Sequence, residues 1–316
     1  MNATTPALAA VVLYYVGAAL FKRAGARMPP LRGTRPLHLL GELARSPLWL
    51  AGLLVFAVGM ELQIIAFAEL PLGVAQPLFA STLLVLLWIG ATCFGERLAP
   101  REWLGVGLFA LSAVLVWASV RPGPRGIGSL PPAPLAVAVV VPSVLLTVLL
   151  FSRGDLRPAG RHARPLAGVA YGLGSGVALG AGEVAIKGLA VVNAARGQGP
   201  HPLATPYPYL VGLAVAVGLA QAMIAMQRCR MVVCVSVCTI AAKTYLVLVG
   251  SLLYGGDWPA DPLWGAVRAA AVLLAAGAVA VFPRYESCPD GGPPYGPSSS
   301  PMTSSAVSIS GRVPPR

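Results

Sequence analysis

The segment LAGVAYGLGSGVALGAGEVAIKGLAV, Leu166 to Val191, decides the fold of this chain. It is long enough to cross a bilayer as one helix, because about 20 apolar residues span the hydrocarbon core. Glycine recurs at every fourth position and forms one bare stripe along the helix, made of Gly168, Gly172, Gly176 and Gly180. Such a stripe lets a neighbouring backbone approach closely, which is how helices pack in lipid. The segment therefore predicts the central helix of a polytopic membrane protein.

The composition of the whole chain agrees with a membrane protein. Hydrophobic residues make up 56% and charged residues 11%, whereas soluble domains average about 25% charged residues. The net charge of +12 does not indicate nucleic-acid binding, because the basic residues lie in short loops between apolar runs. The five cysteines form no CxxC or Cys/His cluster, so neither a disulfide framework nor a zinc site is predicted.

Hydropathy predicts an all-α protein with about nine transmembrane helices. The predicted spans are 5–21, 47–68, 72–94, 102–120, 133–152, 166–191, 208–226, 231–254 and 263–282. If the N-terminus lies outside, most Lys and Arg residues between the spans fall on the cytoplasmic side, as the positive-inside rule requires. We therefore predict an external N-terminus, a cytoplasmic C-terminus and, from the Ala, Gly, Pro and Arg bias, a bacterial cytoplasmic membrane. Residues 284–316, rich in Pro, Ser and Gly, are predicted to be a disordered cytoplasmic tail.

Two halves of the chain share short motifs in the same order. Gly17–Lys22 matches Gly182–Lys187 in spacing, and Gln63 precedes Gly73 by the interval at which Gln221 precedes Met231. The matches predict a first repeat of four helices over 1–120, a connecting helix and basic loop over 121–164, and a second repeat of four helices over 165–283. One connecting span between four-helix repeats inverts the second relative to the first, which is a common plan of secondary transporters.

Motifs of the first half resemble a known group. They are Trp49–Gly52 followed by Gln63, Leu72–Pro77, Gly95–Leu98 and Trp103–Gly105. This pattern is similar to the EamA-type repeat of the drug/metabolite transporter (DMT) superfamily. The count of about nine spans, with one helix before a long basic loop from Lys22 to Arg45, looks closest to the NIPA-type branch. That resemblance implies magnesium transport as one candidate function. The second half departs from the pattern, with Val235 where the first has Pro77.

Ionisable residues inside spans are candidates for function, because a charge in the hydrocarbon core is costly unless paired or hydrated. Glu61, Glu183 and Lys243 lie within predicted spans, and Lys187 lies near enough to an outer end to reach the interface. Polar companions along the proposed substrate or ion pathway are Gln63, Gln76 and Gln221. Under one hypothesis, Glu61 and Glu183 bind a cation or take up a proton, while Lys243 neutralises an acidic substrate or a carboxylate. The alternative is a structural ion pair between Lys243 and one of the two glutamates.

The favoured function is secondary transport of a small metabolite or ion by alternating access. A NIPA-type magnesium or divalent-cation permease is the alternative, with Glu61 and Glu183 as metal ligands, although a central ammonium at Lys243 would repel the ion. A non-transporting membrane subunit or assembly partner is a third hypothesis. No enzyme is predicted, since HExxH, GxSxG and phosphate-loop motifs are missing from the sequence. No cofactor is expected, the partners are a small solute or ion and the lipid bilayer, and a homodimer is left open.

Overall fold

The computed structural model describes residues 4–69, 83–96, 100–119, 130–155, 163–194, 201–254, 259 and 261–281. These residues form ten α-helices and a short 3₁₀ turn, Pro202–Ala204. The helices are α1 Thr4–Gly25, α2 Pro36–Arg45, α3 Pro47–Glu69, α4 Leu83–Phe94, α5 Pro100–Ala118, α6 Ala133–Asp155, α7 Ala163–Ala194, α8 Tyr207–Arg228, α9 Met231–Tyr254 and α10 Pro262–Val281. The described part of the chain contains no strand. The predicted tail, 284–316, lies outside it.

The helices match the predicted spans, and the all-α polytopic membrane class is confirmed. Seven helices in the described ranges are long and apolar enough to cross a membrane, and two shorter apolar helices occupy Val85–Phe94 and Glu102–Ala118. The beginning of the third predicted span lies outside the described residues. Helices suit this role because each satisfies its own backbone hydrogen bonds where water is absent.

The segment between Lys22 and Arg45, predicted as a basic loop, contains the short helix α2. Leu39 and Leu43, one turn apart, are buried on one face, whereas Leu37 and Leu40 are exposed. Pro36 at the first helical position favours a helix start. Hydropathy alone misses this helix because its apolar residues are interspersed with basic and polar ones.

Helix α7 lies at the centre of the bundle. It packs against α8, α9, α6 and α3, and most of its span is buried, whereas α6 and α10 are largely exposed. Its glycine stripe faces α9: a Cβ atom at Gly176 would lie 2.4 Å from the carbonyl oxygen of Cys238, and one at Gly180 would lie 2.7 Å from that of Ala242. A step of four residues along α7, from Gly176 to Gly180, matches a step of four residues along α9, from Cys238 to Ala242. The two helices therefore run parallel.

The helix pairings follow a reciprocal pattern. Helix α1 packs on α3 as α7 packs on α8, α3 contacts α7 as α1 contacts α8, and α5 packs on α10. These are the pairings that an exchange of the two predicted repeats would produce, with α1 equivalent to α7, α3 to α8 and α5 to α10. The repeat boundaries and the opposite orientation of the repeats in the membrane stay predictions.

Candidate functional site

A central cavity of about 130 Å³ lies between α1, α3, α7, α8 and α9. Its wall is mainly apolar and contains four aromatic side chains, Tyr14, Tyr15, Phe21 and Phe56, all from α1 and α3. Two of these rings pack against Phe56, with centroid distances of 4.7 Å for Tyr14 and 6.3 Å for Phe21. The five helices thus enclose a pocket with one aromatic wall.

The opposite wall carries an ion pair between α7 and α9. Lys243 Nζ donates to Glu183 Oε1 at 2.5 Å, and the lysine is 8% exposed. The register set by the glycine stripe, with Gly180 against Ala242, brings these two residues side by side. The partner of Lys243 is therefore Glu183 and not Glu61. Within the described residues, Glu183 Oε2 is buried and has no hydrogen-bond partner.

A second polar group lies in the cavity wall on α3. The Tyr14 hydroxyl donates to Gln63 Oε1, and Gln63 is only 1% exposed. Its other amide atom, Nε2, has no hydrogen-bond partner among the described residues. A buried donor without an acceptor costs about 1–3 kcal/mol. Two residues of the cavity lining thus carry buried polar atoms without a described partner, the donor Gln63 Nε2 and the acceptor Glu183 Oε2.

Other predicted pathway residues lie away from this cavity. Glu61 is exposed on α3, because residues two positions apart on a helix point about 200° apart and Gln63 takes the inward face. Gln221 is buried but donates to Thr147 Oγ1 on α6 at 3.1 Å. Gln76 lies outside the described residues. No group of three His, Cys, Asp or Glu residues in the described ranges could hold a metal ion. Glu61 is exposed, whereas Glu183 lines the cavity.

Lys187, predicted to lie near enough to a span end to reach the interface, is buried and binds a backbone carbonyl of α3. It is 3% exposed, and its Nζ donates to the Phe67 carbonyl at 2.8 Å, near the C-terminus of α3. Lys22 makes the matching contact in the other half, donating to the carbonyls of Met226 at 2.6 Å and Cys229 at 2.8 Å, at the end of α8. A cation near the C-terminal end of a helix opposes the helix dipole. The two lysines matched by sequence spacing therefore each bind backbone carbonyls near the C-terminal end of a helix in the other half.

Acidic residues of the first half contact the start of α9. The Glu96 carboxylate accepts hydrogen bonds from the backbone N–H groups of Met231 and Val232, both at 2.8 Å. Glu102, fully buried, pairs with Arg230. A carboxylate at a helix N-terminus satisfies donors that lack an intrahelical partner. Glu96, which belongs to the Gly95–Leu98 motif, thus joins the two halves of the bundle.

Two cysteines of α9, which the sequence assigns to no disulfide or zinc site, belong to the cavity wall. Cys234 and Cys238 are free thiols in the cavity wall, together with Thr239. The sequence could have indicated this position, because the two cysteines share a helix with Lys243 and Thr239 lies one turn before the lysine. Hydropathy does not separate such residues from lipid-facing ones.

Comparison with known proteins finds small bacterial membrane proteins. The chain is 28% identical over 96 residues to proteins named "Probable 4-amino-4-deoxy-L-arabinose-phosphoundecaprenol flippase subunit ArnE" from Salmonella typhimurium (strain LT2), Salmonella typhi and Salmonella newport. The match covers 30% of this chain and 86% of each relative, so each relative is about one third as long as this chain. No family model and no solved structure matches. The similarity fits a DMT-like polytopic membrane protein with a transporter-like role in general.

Proposed function

We propose that this protein is a secondary transporter that moves a small solute across the bacterial cytoplasmic membrane by alternating access. The central cavity is the proposed binding site, with Glu183, Lys243, Gln63 and Tyr14 as its polar groups. The proposal includes no enzymatic activity and no cofactor. It places the N-terminus outside and the C-terminus in the cytoplasm, in keeping with the distribution of basic residues.

One observation carries this proposal, namely the Glu183–Lys243 pair in the wall of the cavity. Burying two charges between apolar helices is unfavourable, and well-packed apolar residues often stabilise a protein at least as well. Ionisable residues in such positions commonly line substrate or ion pathways. The unpaired atoms of Gln63 and Glu183 support the same role, because a bound solute would supply their missing partners.

The reciprocal contacts of the two halves support alternating access. Lys22 and Lys187 each hold the C-terminal end of a helix in the other half. If the two repeats are inverted, these contacts lie toward opposite membrane surfaces. Breaking the Lys22 contacts while keeping the Lys187 contact, or the reverse, would then open the cavity to one side of the membrane only. Inverted-repeat carriers alternate access in this way.

Two other functions are compared with this proposal. A NIPA-type magnesium permease would require oxygen ligands around the ion, whereas the cavity carboxylate Glu183 is paired with an ammonium group and Glu61 faces away. The resemblance to a flippase subunit favours a second candidate, a membrane subunit that acts with a partner chain. In that case the cavity would be incidental, and its polar residues would matter little for function.

The test is ligand-dependent stabilisation of the purified full-length chain. Its thermal unfolding would be followed with amino acids, organic acids, amines, amides and divalent cations, because a ligand bound only by the folded state raises apparent stability. The site variants are Gln63→Leu and the double variant Glu183→Gln/Lys243→Met, which removes both charges together. Glu61→Gln, on the same helix as Gln63 but exposed, is the matched control.

We expect at least one organic solute to stabilise the wild type and Glu61→Gln but neither site variant. Uptake or efflux of that solute in proteoliposomes would then be measured with the same variants. Stabilisation by magnesium that depends on Glu183 would favour the permease. A screen without any ligand, together with co-purification of a stoichiometric membrane partner, would refute the carrier and favour the subunit.

A further inference from the structure

The charge balance of the central cavity restricts which solute it can take; this inference rests on the proposed transport function. We infer that the solute carries no net charge and combines an aromatic body with a polar group that both donates and accepts hydrogen bonds, as an aromatic carboxamide does. Glu183 and Lys243 already neutralise each other at 2.5 Å. A solute with a net charge would find no free counter-charge in this pair unless one partner gave up the other in an apolar environment, which is unfavourable.

The polar part of the inferred solute follows from two unpaired atoms. Gln63 is fully enclosed, and its Oε1 is held by the Tyr14 hydroxyl, which leaves Nε2 as a donor without an acceptor in the described residues. Glu183 Oε1 is held by Lys243, which leaves Oε2 as an acceptor without a donor there. A carboxamide carries both a carbonyl acceptor and an N–H donor, the two groups that these atoms lack, without adding charge.

The apolar part follows from the opposite wall. Tyr14, Tyr15, Phe21 and Phe56 line it, with Met60 beside them. Aromatic rings pair favourably with a flat aromatic partner, and the methionine thioether adapts to its edge. The volume of about 130 Å³ is roughly ten times the 10–15 Å³ that one water molecule requires by this measure. A single ring with one substituent is the size of molecule that this space accommodates.

The test compares benzamide, benzoate and benzylamine, which share a ring and differ in charge. Binding to the purified full-length protein would be measured by calorimetry and by protection of the partly exposed cavity thiol Cys238 from a maleimide, resolved by peptide mass spectrometry. We expect benzamide to bind at least ten-fold more tightly than either charged compound. Gln63→Leu should weaken benzamide binding at least ten-fold, whereas Glu61→Gln should leave it unchanged.

The charge series uses the wild-type protein, so the comparison does not depend on the folding of any variant. Tighter binding of benzoate or benzylamine than of benzamide would overturn the inferred charge class and leave the transport proposal standing. If none of the three binds while the wider screen identifies another ligand of the cavity, the aromatic-amide class is likewise overturned. If the wider screen also finds no ligand, both the inference and the proposed binding site are refuted.

Discussion

Replacing Gly176 with alanine should separate α7 from α9. The added Cβ atom would lie 2.4 Å from the Cys238 carbonyl oxygen and 2.6 Å from the Ala241 Cβ. Ordinary contact begins near 3.4 Å, so the two backbones must move apart by about 1 Å, the difference between 3.4 and 2.4 Å. The obstructing oxygen belongs to the backbone and cannot turn away as a side chain would. Overpacking of this kind costs about 1–3 kcal/mol.

Gly212→Ala in α8 is the matched control. Among the described residues, nothing lies within 4 Å of a Cβ atom at that position. Both substitutions exchange glycine for alanine inside a helix, and both gain about 1 kcal/mol or less of helix propensity. That gain cancels when the two variants are compared. Gly176→Ala should therefore be less stable than Gly212→Ala by about 1–3 kcal/mol.

The assay is reversible unfolding of the purified variants in mixed micelles with increasing denaturing detergent. The difference in unfolding free energy between the two variants isolates the contact of α7 with α9. Equal stability of Gly176→Ala and Gly212→Ala would refute the close approach of these helices. A low stability of both would instead show that glycine is required for a reason other than the contact with α9.

Three further predictions concern polar contacts between the halves. Lys187→Met removes the charged hydrogen bond to the Phe67 carbonyl and should lower the unfolding free energy by about 1.5–3 kcal/mol in the same assay; an unchanged value would contradict a stabilising role for this bond. Glu96→Ala removes both carboxylate acceptors at the start of α9 and should lower the unfolding free energy by about 0.5–2 kcal/mol. Hydrogen exchange should show faster exchange of the backbone amides in the first turn of α9. Glu183→Gln leaves the Lys243 ammonium without its carboxylate and should lower the unfolding free energy by about 3–5 kcal/mol. Adding Lys243→Met should restore much of that stability. Losses that simply add in the double variant would show that the two charges do not interact.

The bundle and its central helix could be predicted from sequence because both depend on local pattern. Apolar length predicts spans directly, and glycine at four-residue spacing marks a bare face on α7 whatever its partner. The match between Lys22 and Lys187 was also available from spacing alone. What spacing could not supply was their acceptors, which lie about 200 residues away for Lys22 and 120 residues away for Lys187.

The candidate site was predicted less completely. Glu61 and Gln63 were both selected for their depth in the same span, but depth does not indicate which side of the helix faces the protein interior. The packing of α3 on α1 turns Gln63 toward Tyr14 and leaves Glu61 exposed. Helix α2 was missed for another reason, since its apolar residues alternate with basic and polar ones and hydropathy alone does not mark it.

Sequence by itself therefore determined the membrane class, the positions of the spans and the close-packing face of α7, because lipid imposes these through hydropathy, length and residue size. Only the tertiary structure decided that Lys243 pairs with Glu183 and that five helices from both halves enclose one cavity. Those features depend on how helices rotate and align against one another. Rotation and register are set by contacts between residues far apart in the chain, as in the parallel alignment of Gly176 with Cys238 and of Gly180 with Ala242.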